Sequence, residues 1–203
     1  AFSGKVADSN DHEKFVPPVY DMLKDDGYFR KEESVINSYN QQVFDLENDS
    51  DFIELKNKRE QLARHQEWEE KEIREAIHRS KAERKKIRKV KQQELSEEDF
   101  KELNKKLAQE SIDSKLSLKH TLREHKRDRE AMDEKLDPFI SKLKALKAER
   151  VRLSNKLQRR LFNSYQFLNI SGERKSLLPI YENAALKEPP AGAGECAAPK
   201  LLQ

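Results

Sequence analysis

A dense block of basic side chains at residues 79–91, RSKAERKKIRKVK, is the strongest chemical signal in this sequence. The block holds eight Lys and Arg residues against one acid, Glu83. Positive charge at this density attracts nucleic-acid phosphates by releasing their counterions, without reading the base sequence. The sequence therefore predicts an RNA contact formed by these eight side chains: Arg79, Lys81, Arg84, Lys85, Lys86, Arg88, Lys89 and Lys91.

The alternative for such a block is a solvated helix face, on which Lys and Arg pair with Glu one turn away. A single glutamate cannot offset eight bases, so phosphate binding and a solvated face stay equal alternatives for residues 79–91. A second block at 142–160 also holds eight bases and one acid. Leucines at helical spacing already account for this second block as a packed helix, so RNA contact is the weaker interpretation there.

Patterns of catalytic and metal-binding residues are not visible in the sequence. It has no Walker A loop, HExxH motif, CxxC pair or Ser-His-Asp order, so we predict no catalytic residue. His65 and His125 could meet across two helices, but no tight ligand set with an acid or cysteine accompanies them, so we expect neither a metal nor a cofactor. Trp68 stands among glutamates, which favours a helix-packing anchor over a base-stacking platform.

The overall composition favours long helices over a globular core or disorder. Only 35% of the 203 residues are hydrophobic, while 39% are charged. Because 41 basic residues nearly balance 38 acidic ones, the chain lacks the high net charge that is typical of disordered segments. Ala, Glu, Lys, Leu and Arg dominate, which is the composition of coiled coils.

The cellular location must be inferred from what the sequence lacks. One cysteine, Cys196, cannot form an internal disulfide, so nothing indicates secretion. No apolar run approaches the roughly 18–20 residues of a membrane span, and no signal peptide is visible. We therefore expect a cytoplasmic protein without membrane contact. The oligomeric state stays open.

Glycine and proline divide the chain into three segments. From Tyr28 to Ser171 there is no glycine, and Pro138 is the only proline in that stretch. This distribution predicts an irregular N-terminal segment at 1–30, a helical arm at 31–168 and an irregular tail at 169–203. Within the arm, a weak heptad seam begins at Phe52, and a clearer series of leucines extends from Leu136.

The arm is predicted to fold back on itself near residues 94–97. Ser96 reads as a helix N-cap with Asp99 at N3, and the two flanking stretches are of similar length. The cap-like cluster at 48–52 and Asp137-Pro138 lie at about the same number of residues from this turn, one on each side of it. This predicts that both helices are interrupted by a joint at the same distance from the turn. The fold class is therefore mainly α, with a long antiparallel helical hairpin and small irregular segments at both termini. A single rod that dimerises in parallel is the alternative.

The terminal segments resemble those of a known enzyme family. The tail 189–203, PPAGAGECAAPKLLQ, together with 162–177 and LLPIYEN at 177–183, resembles the segment ahead of the catalytic domain in a subgroup of bacterial RluA-like pseudouridine synthases. AFSGK at 1–5 and FVPPVYDMLKDDGYF at 15–29 resemble that subgroup's segment before a long helical insertion. The likeness covers roughly seventy of the 203 residues, and the helical middle is similar only in character.

This resemblance implies an RNA-modifying parent enzyme. Family members isomerise uridine to pseudouridine in structured RNA without a cofactor, using the aspartate of an HRLD-type motif that does not occur here. The chain is then expected to be an N-terminal accessory region, inactive alone, whose partners are ribosomal RNA and its own catalytic domain. In that context Cys196 is a small buried or linker residue. A structural or protein-interaction coiled coil without RNA affinity is the alternative.

Overall fold

The computed structural model describes residues 1–182, 184 and 186–201. The last residues of two segments that carry the family resemblance, Asn183, Leu202 and Gln203, lie outside the described residues, as does Ala185. The elements in chain order are α1 (Tyr28–Glu47), α2 (Ser50–Glu94), α3 (Glu97–Ser164), β1 (Gln166–Leu168), β2 (Arg174–Ser176), α4 (Leu177–Glu182) and α5 (Ala197–Leu201).

The predicted mainly-α class is confirmed, because three long helices account for most of the chain. Differences from the expected boundaries lie at the ends of the arm. The first helix already begins at Tyr28, and the tail after Ser164 contains an antiparallel pair of short strands and two short helices. The chain divides into two compact units, one formed by residues 1–46 and 142–203 and the other by residues 47–141.

The first unit, residues 1–46 and 142–203, has a small aromatic core. Phe162, Tyr165 and Leu177 are buried in it, and a ring of half-buried side chains packs around them: Val19, Tyr20, Leu161, Phe167, Leu178 and Tyr181. Gly194 has a φ of +98°, and a Cβ at this position would lie 2.8 Å from ring carbons of Tyr165. Only glycine therefore fits both the backbone conformation and the space here.

The two ends of the chain meet in this unit. The Gly4 amide donates to the Glu195 carbonyl oxygen at 3.1 Å, and the Ala197 amide donates to Ser3 Oγ at 3.1 Å. Lys200 is 1% exposed, and its Nζ donates to the Phe2 carbonyl oxygen at 3.1 Å. Burial raises the pKa of the neighbouring Glu195 carboxyl above its usual value. The segments AFSGK and GECAAPK thus form one contact region.

The second unit, residues 47–141, consists of α2 and the part of α3 that pairs with it. Contacts between the two helices follow an antiparallel order: Arg88 with Asn104, Glu69 and Glu70 with His125, Gln66 with Arg129, Arg59 with Asp133, and Phe52 with Phe139. The turn lies at Leu95 and Ser96, where Ser96 Oγ accepts from the Asp99 amide at 3.3 Å. This is the N-cap that the sequence predicts.

Arg59 and Asp133 form the best-aligned ion pair between the two helices. Arg59 Nε lies 2.7 Å from Asp133 Oδ1, and a second guanidinium nitrogen lies 3.2 Å from Oδ2. The hydrogen bond from Arg59 lowers the pKa of the Asp133 carboxyl. Any stability from this exposed pair is therefore present at neutral pH and is lost as the pH falls through that lowered pKa.

The start of α2 depends on a side-chain cap, as the cluster at 48–52 suggests. Asp49 accepts a hydrogen bond from the Phe52 amide at 2.9 Å. We expect Asp49→Ala to lower the free energy of unfolding by about 1 kcal/mol in urea titrations followed by circular dichroism. Asp51→Ala is the control, since it removes a first-turn acid but no cap bond and should cost only a few tenths of a kcal/mol. Equal losses in the two variants would contradict the capping role.

The joint expected at Asp137-Pro138 does not occur, because α3 continues through Pro138. Proline removes one i→i−4 hydrogen bond and crowds the preceding turn, at a cost of about 3 kcal/mol. Side chains on both sides of it are held by packing: Leu136 is buried, and the Phe139 ring stacks on Phe52 with centroids 5.5 Å apart. This packing offsets the hydrogen bond lost at Pro138. The helix therefore continues, although Asp137-Pro138 is a sequence pattern typical of a helix start.

Candidate nucleic-acid interface

The basic block at 79–91 lies in the C-terminal third of α2 and ends three residues before the helix does, close to the turn. Four of its lysines are exposed and have no ion pair within the described part of the chain: Lys81, Lys85, Lys86 and Lys89. Lys81, Lys85 and Lys89 are spaced four residues apart, so they form one stripe along the helix, with Lys86 beside it. We call these four residues the lysine stripe.

Two arginines of the predicted set face the partner helix rather than solvent. Arg84 is 5% exposed and donates to Ser80 Oγ at 2.6 Å. Arg88 is half-buried, and its Nε donates to Asn104 Oδ1 on α3 at 3.0 Å. The heptad pattern missed this burial, because from Ser80 it continues to Glu83, which is exposed, whereas the buried side chain is that of Arg84, one residue further along. These two side chains pack the hairpin.

The remaining two bases of the block are exposed or half-buried and paired with acids on α2. Arg79 lies 3.6 Å from Glu75, and Lys91 lies 2.6 Å from Glu94. Such exposed pairs are weak, so phosphate can compete for these cations. The eight predicted residues therefore fall into three groups: an unpaired stripe of four, two paired cations and two packing arginines.

The second basic block, 142–160, is largely engaged by its own surroundings. Arg160 contacts Glu32 at 2.8 Å and also lies over the Tyr28 ring. Arg152 donates two hydrogen bonds to the Glu149 carboxylate, one from Nε and one from Nη2. Leu157 is buried, as expected of a packed helix. These contacts favour a packing role for this block.

A buried polar layer interrupts the apolar contact between α2 and α3. His125 is 6% exposed, and its two ring nitrogens each lie 3.1 Å from a carboxylate oxygen, one of Glu69 and one of Glu70. Either tautomer carries a proton on one of these nitrogens, so at least one of the two contacts is a donation to a carboxylate. Arg129 contacts Glu70 at 3.7 Å and donates to buried Gln66 at 3.1 Å. Sequence reasoning missed this layer, although its polar seam positions and the histidine facing them were visible.

His125, Glu69 and Glu70 form a hydrogen-bonded polar layer between the two helices. Across residues 1–182, 184 and 186–201, no group of three or more His, Cys, Asp or Glu side chains is arranged to hold a metal ion. His65 only approaches Glu69, at 3.9 Å.

One expectation about a single residue is wrong. Trp68 does not anchor helix packing: its side chain is 60% exposed, and its ring contacts His65 with centroids 6.0 Å apart. Its position in α2 puts it on the helix face opposite α3, because the buried residue Gln66 lies two positions earlier. Cys196 is exposed, so of the two alternatives expected for it, a buried or a linker residue, the buried one does not hold.

Comparisons with protein-family models, with curated proteins and with solved structures each found no match for this chain. Among the helices of the described residues, none combines the length and apolar character needed to cross a bilayer. The function must therefore be argued from the lysine stripe and its surroundings.

Proposed function

We propose that this chain binds structured RNA through the lysine stripe and acts as an accessory arm of an RNA pseudouridine synthase. The observation that carries the RNA contact is the set of four exposed lysines without ion pairs on one side of α2. Ammonium groups left free in this way can exchange their solvent counterions for backbone phosphates. No base-reading contact is required for such binding.

The surroundings of the stripe support this proposal. Glu83 is the only acid among residues 79–91, and it lies three residues from Lys86. On α3 near the tip, by contrast, lysines alternate with acids, as at Glu98, Lys101, Glu102 and Lys105. The positive field is therefore concentrated on α2, where it would attract an RNA backbone.

The link to pseudouridine synthases rests on the resemblance of the terminal segments. Two of those segments, AFSGK and GECAAPK, contact each other through Gly4, Glu195, Ser3 and Ala197. A shared base formed by both ends is what an accessory region next to a catalytic domain would need. In this proposal the arm holds ribosomal RNA while that domain isomerises a uridine, and this chain supplies no catalytic residue.

Measuring duplex-RNA affinity as a function of salt concentration tests the RNA contact. We expect Lys85→Gln/Lys86→Gln/Lys89→Gln to reduce the slope of log K against log salt by about 2.7, at about 0.9 per phosphate contact by analogy with double-stranded DNA. A fourfold rise in salt should then weaken binding of the unaltered chain about 40-fold more than that of the variant. Helicity should persist, because Gln and Lys have similar helix propensities.

The matched control is Lys101→Gln/Lys105→Gln/Lys106→Gln, which removes the same charge from α3. These lysines stand beside Glu98 and Glu102, so their loss should change the slope by less than 1. If the α2 variant binds RNA with unchanged affinity and slope, the stripe is a solvated face, and the structural coiled coil becomes the favoured function.

A further inference from the structure

Trp68 is the one large aromatic side chain that α2 holds out to solvent. Its ring is 60% exposed, and the His65 ring lies against it at 6.0 Å with a tilt of 55°. An indole in this setting adds little to the hairpin, because it does not contact the α2–α3 seam. The packing of the arm therefore does not occupy this ring, which stays available to a partner.

The neighbours of Trp68 do not form an apolar patch. The residues one turn away on either side are Arg64, His65, Lys71 and Glu72. Protein-docking surfaces are usually contiguous apolar patches of a few hundred Å², and this surface offers a single flat ring among polar groups. A flat ring with a second ring beside it suits a planar partner, and a nucleobase is one.

Trp68 also projects from α2 in the same direction as one member of the lysine stripe, Lys86. Lys86 follows it by eighteen residues, which is five full turns of an α-helix, so the two side chains project in the same direction about 27 Å apart. We propose that Trp68, with His65 beside it, stacks on an unpaired nucleotide of the RNA whose backbone the lysine stripe holds. This inference rests on the proposed RNA contact and adds the class of RNA: a strand with accessible, unpaired bases.

The charges around Trp68 separate its contribution from that of the stripe. Arg64 pairs with Glu60 at 3.5 Å, and Glu67, Glu69, Glu70 and Glu72 outnumber Lys71 next to the ring, so the surroundings of Trp68 add no net positive charge that could attract phosphate. Stacking contributes through ring contact and not through counterion release. Loss of the indole should therefore weaken binding without changing its salt dependence, whereas loss of the lysines changes both.

Because Trp68 is the only tryptophan, its fluorescence reports on this position alone. We expect a short oligouridylate, whose bases are unpaired, to quench this fluorescence, and a blunt-ended RNA duplex to bind without quenching it. With labelled RNA and an anisotropy readout, Trp68→Ala should weaken oligouridylate binding about 5- to 150-fold and leave the salt slope and the duplex affinity unchanged. Trp68→Phe should restore part of the loss, because it keeps a ring.

The outcomes distinguish this inference from the proposed function. Duplex binding with a normal salt slope, but oligouridylate binding that is unaffected by Trp68→Ala, overturns the stacking site and leaves the lysine contact standing. Absence of any salt-dependent RNA binding overturns both. A fluorescence change that depends on protein concentration without RNA would assign Trp68 to a contact between copies of the chain, and would also overturn it.

Discussion

Replacing Tyr165 by Ala should remove a large share of the stability of the unit formed by residues 1–46 and 142–203. Tyr165 is 1% exposed, and its ring packs against Tyr20 and Phe167 with centroids 5.8 and 6.4 Å away. Truncating a buried aromatic residue costs about 3–5 kcal/mol, a large share of what a small core supplies. Protection of the β1 and β2 amides from hydrogen exchange should fall by roughly two to four orders of magnitude.

Phe15→Ala is the control for this measurement, because the Phe15 ring lies in the same unit but is exposed. It should lower amide protection by less than tenfold, since little apolar surface is lost. A loss in Phe15→Ala equal to that in Tyr165→Ala would show that protection does not report on the aromatic core.

A double-mutant cycle then tests the contact between Tyr165 and Gly194. In the unaltered chain, Gly194→Ala places a Cβ 2.8 Å from the Tyr165 ring and also adopts an unfavourable φ of +98°. In the Tyr165→Ala background the clash is gone and only the backbone cost remains, which is about 1–2 kcal/mol. We expect a coupling free energy of about 1–3 kcal/mol between the two sites. Simple additivity would contradict the close approach.

The helical arm could be predicted from the sequence because its signals are local and repeated. The long stretch without glycine, the Ser96 cap and the cluster at Asp49 each depend on backbone chemistry within one turn of helix. The structure has helix boundaries at both of these caps. Pro138 is the exception, because its effect is decided by packing against Phe52, which is 86 positions away along the chain. A contact between residues so far apart in the chain produces no recognisable pattern in the sequence around either of them.

The candidate interface was only partly predictable for the same reason. Composition locates the basic block, but it cannot distinguish Arg84, which is buried, from Lys85, which is exposed. That distinction depends on which side of α2 meets α3. Trp68 failed as a packing prediction because large apolar side chains are usually buried, and only the position of the partner helix shows that this one is not. The side of α2 on which a residue lies therefore decides whether it packs against α3 or is exposed to a partner.

The polar layer at His125 provides the last test, because it concerns both the stability of the α2–α3 hairpin and the register in which the two helices pair. His125→Leu should lower the free energy of unfolding of residues 47–141 by about 2–3 kcal/mol, since it leaves the half-buried Glu70 and the neighbouring Glu69 without the imidazole that contacts both. Urea titration followed by circular dichroism measures this loss. His120→Leu is the control: His120 is exposed and approaches only Glu124, so its loss should cost less than 1 kcal/mol.

Removing Glu69, Glu70 and His125 together should separate stability from register. In Glu69→Leu/Glu70→Leu/His125→Leu no buried charge is stranded, so stability should return to that of the unaltered chain or exceed it. The antiparallel register, however, would then depend on a weak apolar seam, which tolerates slippage. Spin labels at exposed positions 74 and 119, in a Cys196→Ser background, should give one narrow distance in the unaltered layer and a broader distribution in the triple variant. An equally narrow distribution in both would show that the register is set elsewhere, by Arg59 and Asp133 or by the turn at Ser96.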